Sequence, residues 1–159
     1  MESEERFQRE LMGITAVVRI IDGAGEVALG KGSQAIIYQA GKDLGREKGG
    51  FAQKTSDLEE AISNLFDGGE KFLNFEQWDE ECSAPLIDPV VGGSRFLVIR
   101  RCPLLTLSRS IGSKTGGILC HAFHGYIAGA VEVIFSKKAD LRISHCGPAA
   151  CKVYLEMKS

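Results

Sequence analysis

The chain has no excess of charge of either sign: 19 Lys and Arg stand against 21 Asp and Glu over 159 residues, a formal net charge of −2. No footprint for nucleic acid or an anionic membrane follows from that balance. Long apolar runs are missing too. Runs such as 15–21 and 116–120 are far too short to cross a bilayer, and Arg19 interrupts the first; no membrane span is expected. The opening decapeptide MESEERFQRE is acidic and polar, unlike the basic and then apolar start of a secretory signal. A cytoplasmic location is therefore expected. Also absent are an H-E-x-x-H motif, a Ser-His-Asp order and a paired-carboxylate motif, so no ready-made hydrolase site is present. No internal repeat, low-complexity tract or long linker divides the chain.

What is present has globular proportions. Hydrophobic residues make up 44% and charged residues 25%, which argues against disorder and collagen-like repeats. The length suits one domain over 1–159, large enough to bury a core without disulfide staples. Phe7, Leu11, Ile14, Val17, Val18 and Ile21 recur at helical spacing and predict a helix over 4–21, although its β-branched end AVVRII also suits a strand. The Gly-rich stretch 22–33 reads as a turn. Ser33 then caps a helix to about residue 48, with Ile36, Ile37, Ala40 and Leu44 on its apolar side and Gly49-Gly50 as its end. A capping box at 56–59 opens a short helix through Phe66. Strands are predicted at 72–78 and 95–101, with a Pro/Gly-rich loop between them. A short helix over 102–111 and a main helix over roughly 116–136 follow, the latter burying Leu119, Phe123, Ile127, Ala130, Val131 and Ile134. Strands at 139–145 and 151–157 complete an α+β domain: an antiparallel sheet packed with helices.

Three patterns bear on chemistry. GEVALGKGS at 25–33 approaches the phosphate-loop pattern G-x-x-x-x-G-K-[ST], but Gly32 stands where the hydroxyl is needed and Ser33 comes one residue late. It reads as a turn that caps a helix. The second pattern is stronger. Cys120 falls on the main helix, and Cys146 and Cys151 flank the turn between the last two strands. A tight hairpin brings two thiols at its base together, and a helix packed over it can present a third. Thiolates are soft donors that suit tetrahedral zinc. His124, one turn after Cys120, is the fourth candidate; His145 competes, but strand alternation points it away from Cys146. The bland alternative is three core thiols, since cysteine is among the most buried residue types. A Cys146–Cys151 disulfide is geometrically possible but disfavoured in a reducing compartment. Third, Gly125 and Gly129 sit four apart in the main helix, where each costs about 1 kcal/mol relative to Ala. Close approach of a backbone or ligand would justify them, and tight packing on the sheet is the commoner outcome.

The segment CHAFHGYIAGAVEVIFSKKADLRISHCGPAACKVYLEM resembles the end of the 4-vinyl-reductase-like domain family. Cys120, Gly125, Tyr126, Gly129, Cys146 and Cys151 fall on that family's Cys-bearing helix, Gly-aromatic-x-x-Gly step and closing Cys pair. Members include small archaeal hydrocarbon-binding proteins, sensor domains of phenol- and xylene-responsive bacterial regulators, and an accessory protein of bacteriochlorophyll synthesis. The resemblance implies a twisted antiparallel sheet with helices, similar to TRAPP vesicle-tethering subunits and the NO-signalling ligand-binding fold, dimeric around an apolar pocket. It implies zinc on Cys120, Cys146 and Cys151. The acidic ligand that the family places before the second Cys is missing: Ile143 occupies that neighbourhood and Asp140 lies further back. The fourth position falls to His124, His145 or water.

The resemblance further implies binding of a small hydrophobic molecule (aromatic, hydrocarbon or acyl), with zinc structural and the protein a sensor or carrier. Candidate ligand-binding residues are Phe72, Phe75, Trp78, Phe96, Phe123, Tyr126 and Ile127. A homodimer is expected, and a sensor of this size would act through a separate signalling protein. Two other readings stand beside this one: a tethering or interaction module without ligand, and an enzyme using Cys120 as nucleophile, activated by His121 and His124.

Overall fold

A computed structural model describes residues 2–30, 32–52, 54–56, 60–61, 74–77, 95–100, 104, 108, 112, 115–147 and 150–158. Helix α1 spans Glu2–Leu29 and α2 spans Gly32–Gly49. Strands β1 (Asn74–Gln77) and β2 (Arg95–Arg100) precede the central helix α3, Ile118–Phe135. Strands β3 (Lys138–Cys146) and β4 (Ala150–Lys158) follow it. The four strands form one antiparallel sheet in the order β1-β2-β4-β3, so the α+β architecture read from the sequence is the one observed.

The sheet packs by simple alternation. Ala139 and Leu141 on β3, and Cys151, Val153, Leu155 and Met157 on β4, point to one side and meet Ile127, Ala128 and Val131 of α3. Period-two burial of this kind is what a half-covered sheet requires. Helix α3 is apolar enough, over its 18 residues, to pass as a membrane span by composition. Here it is a core helix: Ile127, Ala128, Ala130 and Val131 are all 0% exposed. None of its residues is exposed, because the sheet and α2 cover both of its sides.

The α2–α3 contact is made by glycine. A Cβ on Gly41, Gly45 or Gly49 would overlap the α3 backbone at Ala122, Tyr126 or Ala130, and one on Gly125 or Gly129 would overlap α2 at Tyr38 or Lys42. The two main-helix glycines therefore answer to a helix backbone and not to the sheet. This overturns the apolar face expected for α2. Ile36 and Leu44 are 55% and 50% exposed, and the face that packs carries Ser33, Lys42, Gly45 and Gly49.

The turn expected over 22–33 is also corrected. Helix α1 runs through Gly23 and Gly25 to Leu29, and the chain reverses only at Gly30, at φ +54°. Gly25 is where α1 meets α3, since a Cβ there would stand 2.8 Å from Ile118 Cδ1. The Ser33 hydroxyl donates to the Gly30 carbonyl at 2.7 Å, so the phosphate-loop look-alike is a helix–helix corner. Of the expected short helices, residues 60 and 61 and residues 104 and 108 are helical; the rest of both lies outside the described residues.

Candidate functional site

The β3–β4 hairpin builds the first part of the site. Ile143 pairs with Val153, His145 with Lys152 and Cys146 with Cys151, so β3 carries one extra residue, a bulge at Ser144. Strict alternation from Leu141 would put residue 145 on the core side. The bulge resets the phase and turns Cys146 to the side of Cys151. Their sulfurs lie 3.1 Å apart, with no disulfide between them. His145 is exposed, as alternation from Cys146 requires.

On α3, Cys120 is 5% and His124 3% exposed. The Nδ1 of His124 is buried without a hydrogen-bond partner. Burial, with the charge of His121 adding, lowers the His124 pKa to about 4, and burial also lowers that of His121. Both imidazoles are therefore neutral near pH 7. Among the described residues no three His, Cys, Asp or Glu side chains gather closely enough to hold a metal ion. Of the expected ligand set, the hairpin pair converges. The burial of Cys120 is that of a structural thiol and not of an accessible nucleophile.

A shallow cavity of about 610 Å³, open to solvent over much of its boundary, lies beside this hairpin. Gln34, Ala35 and Tyr38 of α2, Gly116 and His121 at the start of α3, and the run 140–143 of β3 line it. Consecutive β3 residues line it because β3 is an edge strand and the cavity lies along that edge. Gly116 joins the two parts: it lines the cavity, and a Cβ on it would stand 3.8 Å from Cys146 Sγ.

Asp140 and Tyr38 of the cavity lining belong to a set of polar and ionic contacts that the sequence reading did not find. The Lys42 ammonium, 7% exposed as a residue, lies 2.8 Å from both Glu132 Oε1 and Asp140 Oδ1. Arg46 Nε donates to Glu132 Oε2 at 2.6 Å. The backbone N–H groups of Ala139 and Leu141 donate to Glu132 Oε1 (3.1 Å) and to the Tyr38 hydroxyl (2.8 Å), which caps part of the edge strand. Burial disfavours the Lys42 charge, but the bonds and charges of Asp140 and Glu132 outweigh it and raise its pKa. Burial likewise opposes the Glu132 charge, and Lys42, Arg46 and the Ala139 N–H outweigh it and lower its pKa. Burial raises Tyr38 to about 12. The available signal was Lys42 and Arg46, one turn apart and next to the glycines of α2. Asp140, the nearest acid before Cys146 in sequence, is engaged by Lys42 and Tyr38.

The sequence-predicted ligand residues are distributed differently. Ile127 is fully buried in the core, and Phe123 and Tyr126 are half-buried against it; none of the three lines this cavity. Phe96 takes a place in β2 opposite Tyr154, and Phe75 one in β1 opposite Ile99. Phe72 and Trp78 lie outside the described residues.

Fold and site together define an α+β domain with a side cavity next to a cross-strand thiol pair. No protein-family model matches the chain, and no curated protein matches it.

Proposed function

We propose that this chain is a small-molecule-binding domain of the 4-vinyl-reductase-like type, a sensor or carrier for a small hydrophobic ligand, working as a homodimer in the cytoplasm and passing its state to a separate signalling protein. The observation that carries the ligand reading is the 610 Å³ cavity between α2, the start of α3 and the β3 edge. Its size is that of small-molecule sites, which combine apolar walls with a few fixed polar groups. Ala35, Leu141 and Ile143 supply apolar wall, and Gln34, Tyr38, the neutral His121, Asp140 and Arg142 supply polar and charged groups that can orient a polar end. Each 100 Å² of apolar ligand surface buried there contributes about 2.5 kcal/mol.

Zinc is proposed as a structural brace. The donors suit it in chemistry: two thiols meet at the hairpin base, and the buried, neutral His124 has an unpartnered Nδ1. Cys146 and Cys151 would hold the ion, with Cys120 and His124 as the remaining candidates. When bound, a thiolate-rich zinc cross-links secondary structure and supplies little Lewis acidity.

Native mass spectrometry with phenol, toluene and decanoate as probes tests the ligand reading. One probe molecule per chain is expected, and Ala35→Trp, which fills the cavity from an exposed α2 position, is expected to abolish it while the fold persists. No bound probe would remove the ligand reading and favour a tethering module. Elemental analysis tests the brace: about one zinc per chain, lost in Cys146→Ser. Zinc absent from protein purified without chelator would remove it.

A further inference from the structure

Helix α1 is turned inside out. Between residues 12 and 28, Met12, Gly13, Ala16, Val17, Ile20, Gly23, Ala24, Val27 and Ala28 share one face and are all exposed, with the exposed Ile14, Arg19, Ile21 and Glu26 on its flanks. At 100° per residue these nine fall within one half-turn of the helix wheel, and no charged residue falls among them. The half-buried positions on the opposite side are Thr15, Val18, Asp22 and Gly25. An amphipathic helix on a monomer does the reverse. On this face Met12, Val17, Ile20 and Val27 are 55–89% exposed, a continuous apolar strip of the kind an interface covers.

The order of residues on this face says what covers it. About Ile20 the face is complementary in size: Val17 stands opposite Gly23, Ala16 opposite Ala24, Gly13 opposite Val27 and Met12 opposite Ala28. In an antiparallel pair of these helices related by a two-fold axis at Ile20, each Val meets a Gly. A Cβ on Gly13 or Gly23 meets nothing within 4 Å, so both hollows are open to a partner. Self-complementarity of one patch is the condition for an isologous contact. Gly-mediated approach of two helices is also how this chain joins α2 to α3.

We propose that α1 is the interface of a homodimer: its outer face packs antiparallel on the α1 of a second copy, with Ile20 on the two-fold axis. This deepens the dimer named above but rests on no feature of the cavity or the thiols, so it stands or falls separately from the ligand reading. Sedimentation equilibrium of the full chain is expected to show a dimer, and Ile20→Glu, which sets two carboxylates side by side at the axis, is expected to weaken it at least a hundredfold. Should that variant fail to fold, single cysteines decide. Oxidised Ile20→Cys should cross-link two chains well above the unsubstituted protein. Val27→Cys should not, because an antiparallel pair separates those positions by about 21 Å along the axis. The Gly13→Cys/Val27→Cys double variant should cross-link again. A monomer at all concentrations, a dimer indifferent to Ile20→Glu, or cross-linking through Val27→Cys alone would overturn the proposal. A monomer that floats with phosphatidylcholine vesicles, and ceases to with Ile20→Glu, would assign the face to a lipid surface instead.

Discussion

Lys42 shows how one residue ties the fold to the site. A lysine buried to 7% exposure would be costly alone; here two carboxylates at 2.8 Å hold it charged and join α2 to α3 and β3. Removing one member of such a set strands the others. Lys42→Met should therefore destabilise by about 3 kcal/mol, read as a lower urea midpoint at unchanged slope, and adding Glu132→Gln should recover part of the loss. A midpoint unchanged in Lys42→Met would mean that Arg46 alone satisfies Glu132. His124 makes a pH prediction. Its folded pKa is near 4, whereas an unfolded imidazole protonates near 6.5. Between those values the unfolded chain binds more protons, so stability falls as the pH falls. In chelator-containing buffer the loss by pH 4 should reach at most about 3 kcal/mol and should be missing from His124→Leu. Urea titrations of both proteins at pH 7 and pH 4.5 give the difference.

At the scale of elements, the contact that orders the helices is a set of absences. Gly45→Ala would put a methyl into the Tyr126 carbonyl, forcing α2 from α3 at a cost of about 3 kcal/mol. Gly32→Ala, with nothing within 4 Å, should change stability by less than about 1 kcal/mol. Thermal melts of the two variants should separate widely; similar melts would show that the helix pair yields freely. This same contact explains which parts of the fold were legible in the sequence. Strands β3 and β4 each bury one face, so alternation marked them to within a residue or two at each end. Helix α3 was marked by apolar residues at helical spacing from Leu119 to Ile134, one face of a helix that buries most of its circumference. Helix α2 buries glycine and a paired lysine, neither of which carries a hydrophobic period. Its apolar residues, Ile36 and Leu44, point to solvent, and periodicity selected the wrong side. Helix α1 lost its last eight residues to the turn signal of Gly23 and Gly25. The thiol pair was legible because Cys146 and Cys151 close a hairpin. The bulge at Ser144 that makes them meet, and the cavity along the β3 edge, arise from pairings between distant segments, which leave no local pattern.

For the whole molecule the question is whether the cavity and the hairpin thiols act as one device. Gly116 gives a physical reason that they should: it forms cavity wall on one side and lies against Cys146 on the other. An ion that fixes Cys146 and Cys151 would thereby fix the wall at the mouth of α3. Linkage then demands reciprocity. If chelation weakens ligand binding by some factor, bound ligand must tighten zinc by that same factor. Calorimetric titration of the probe that binds best, with and without chelator, gives the first factor; zinc competition with a chromogenic chelator, with and without that probe, gives the second. Equal factors of several-fold are expected. At a ligand concentration of 100 times Kd the zinc-loaded protein should gain about 2.7 kcal/mol, an increase in Tm of roughly 5–10 °C for a domain of this length. Ala35→Trp should show none of that increase while keeping its zinc. If chelation leaves ligand affinity unchanged, Gly116 transmits nothing, and brace and cavity are independent features of one hairpin.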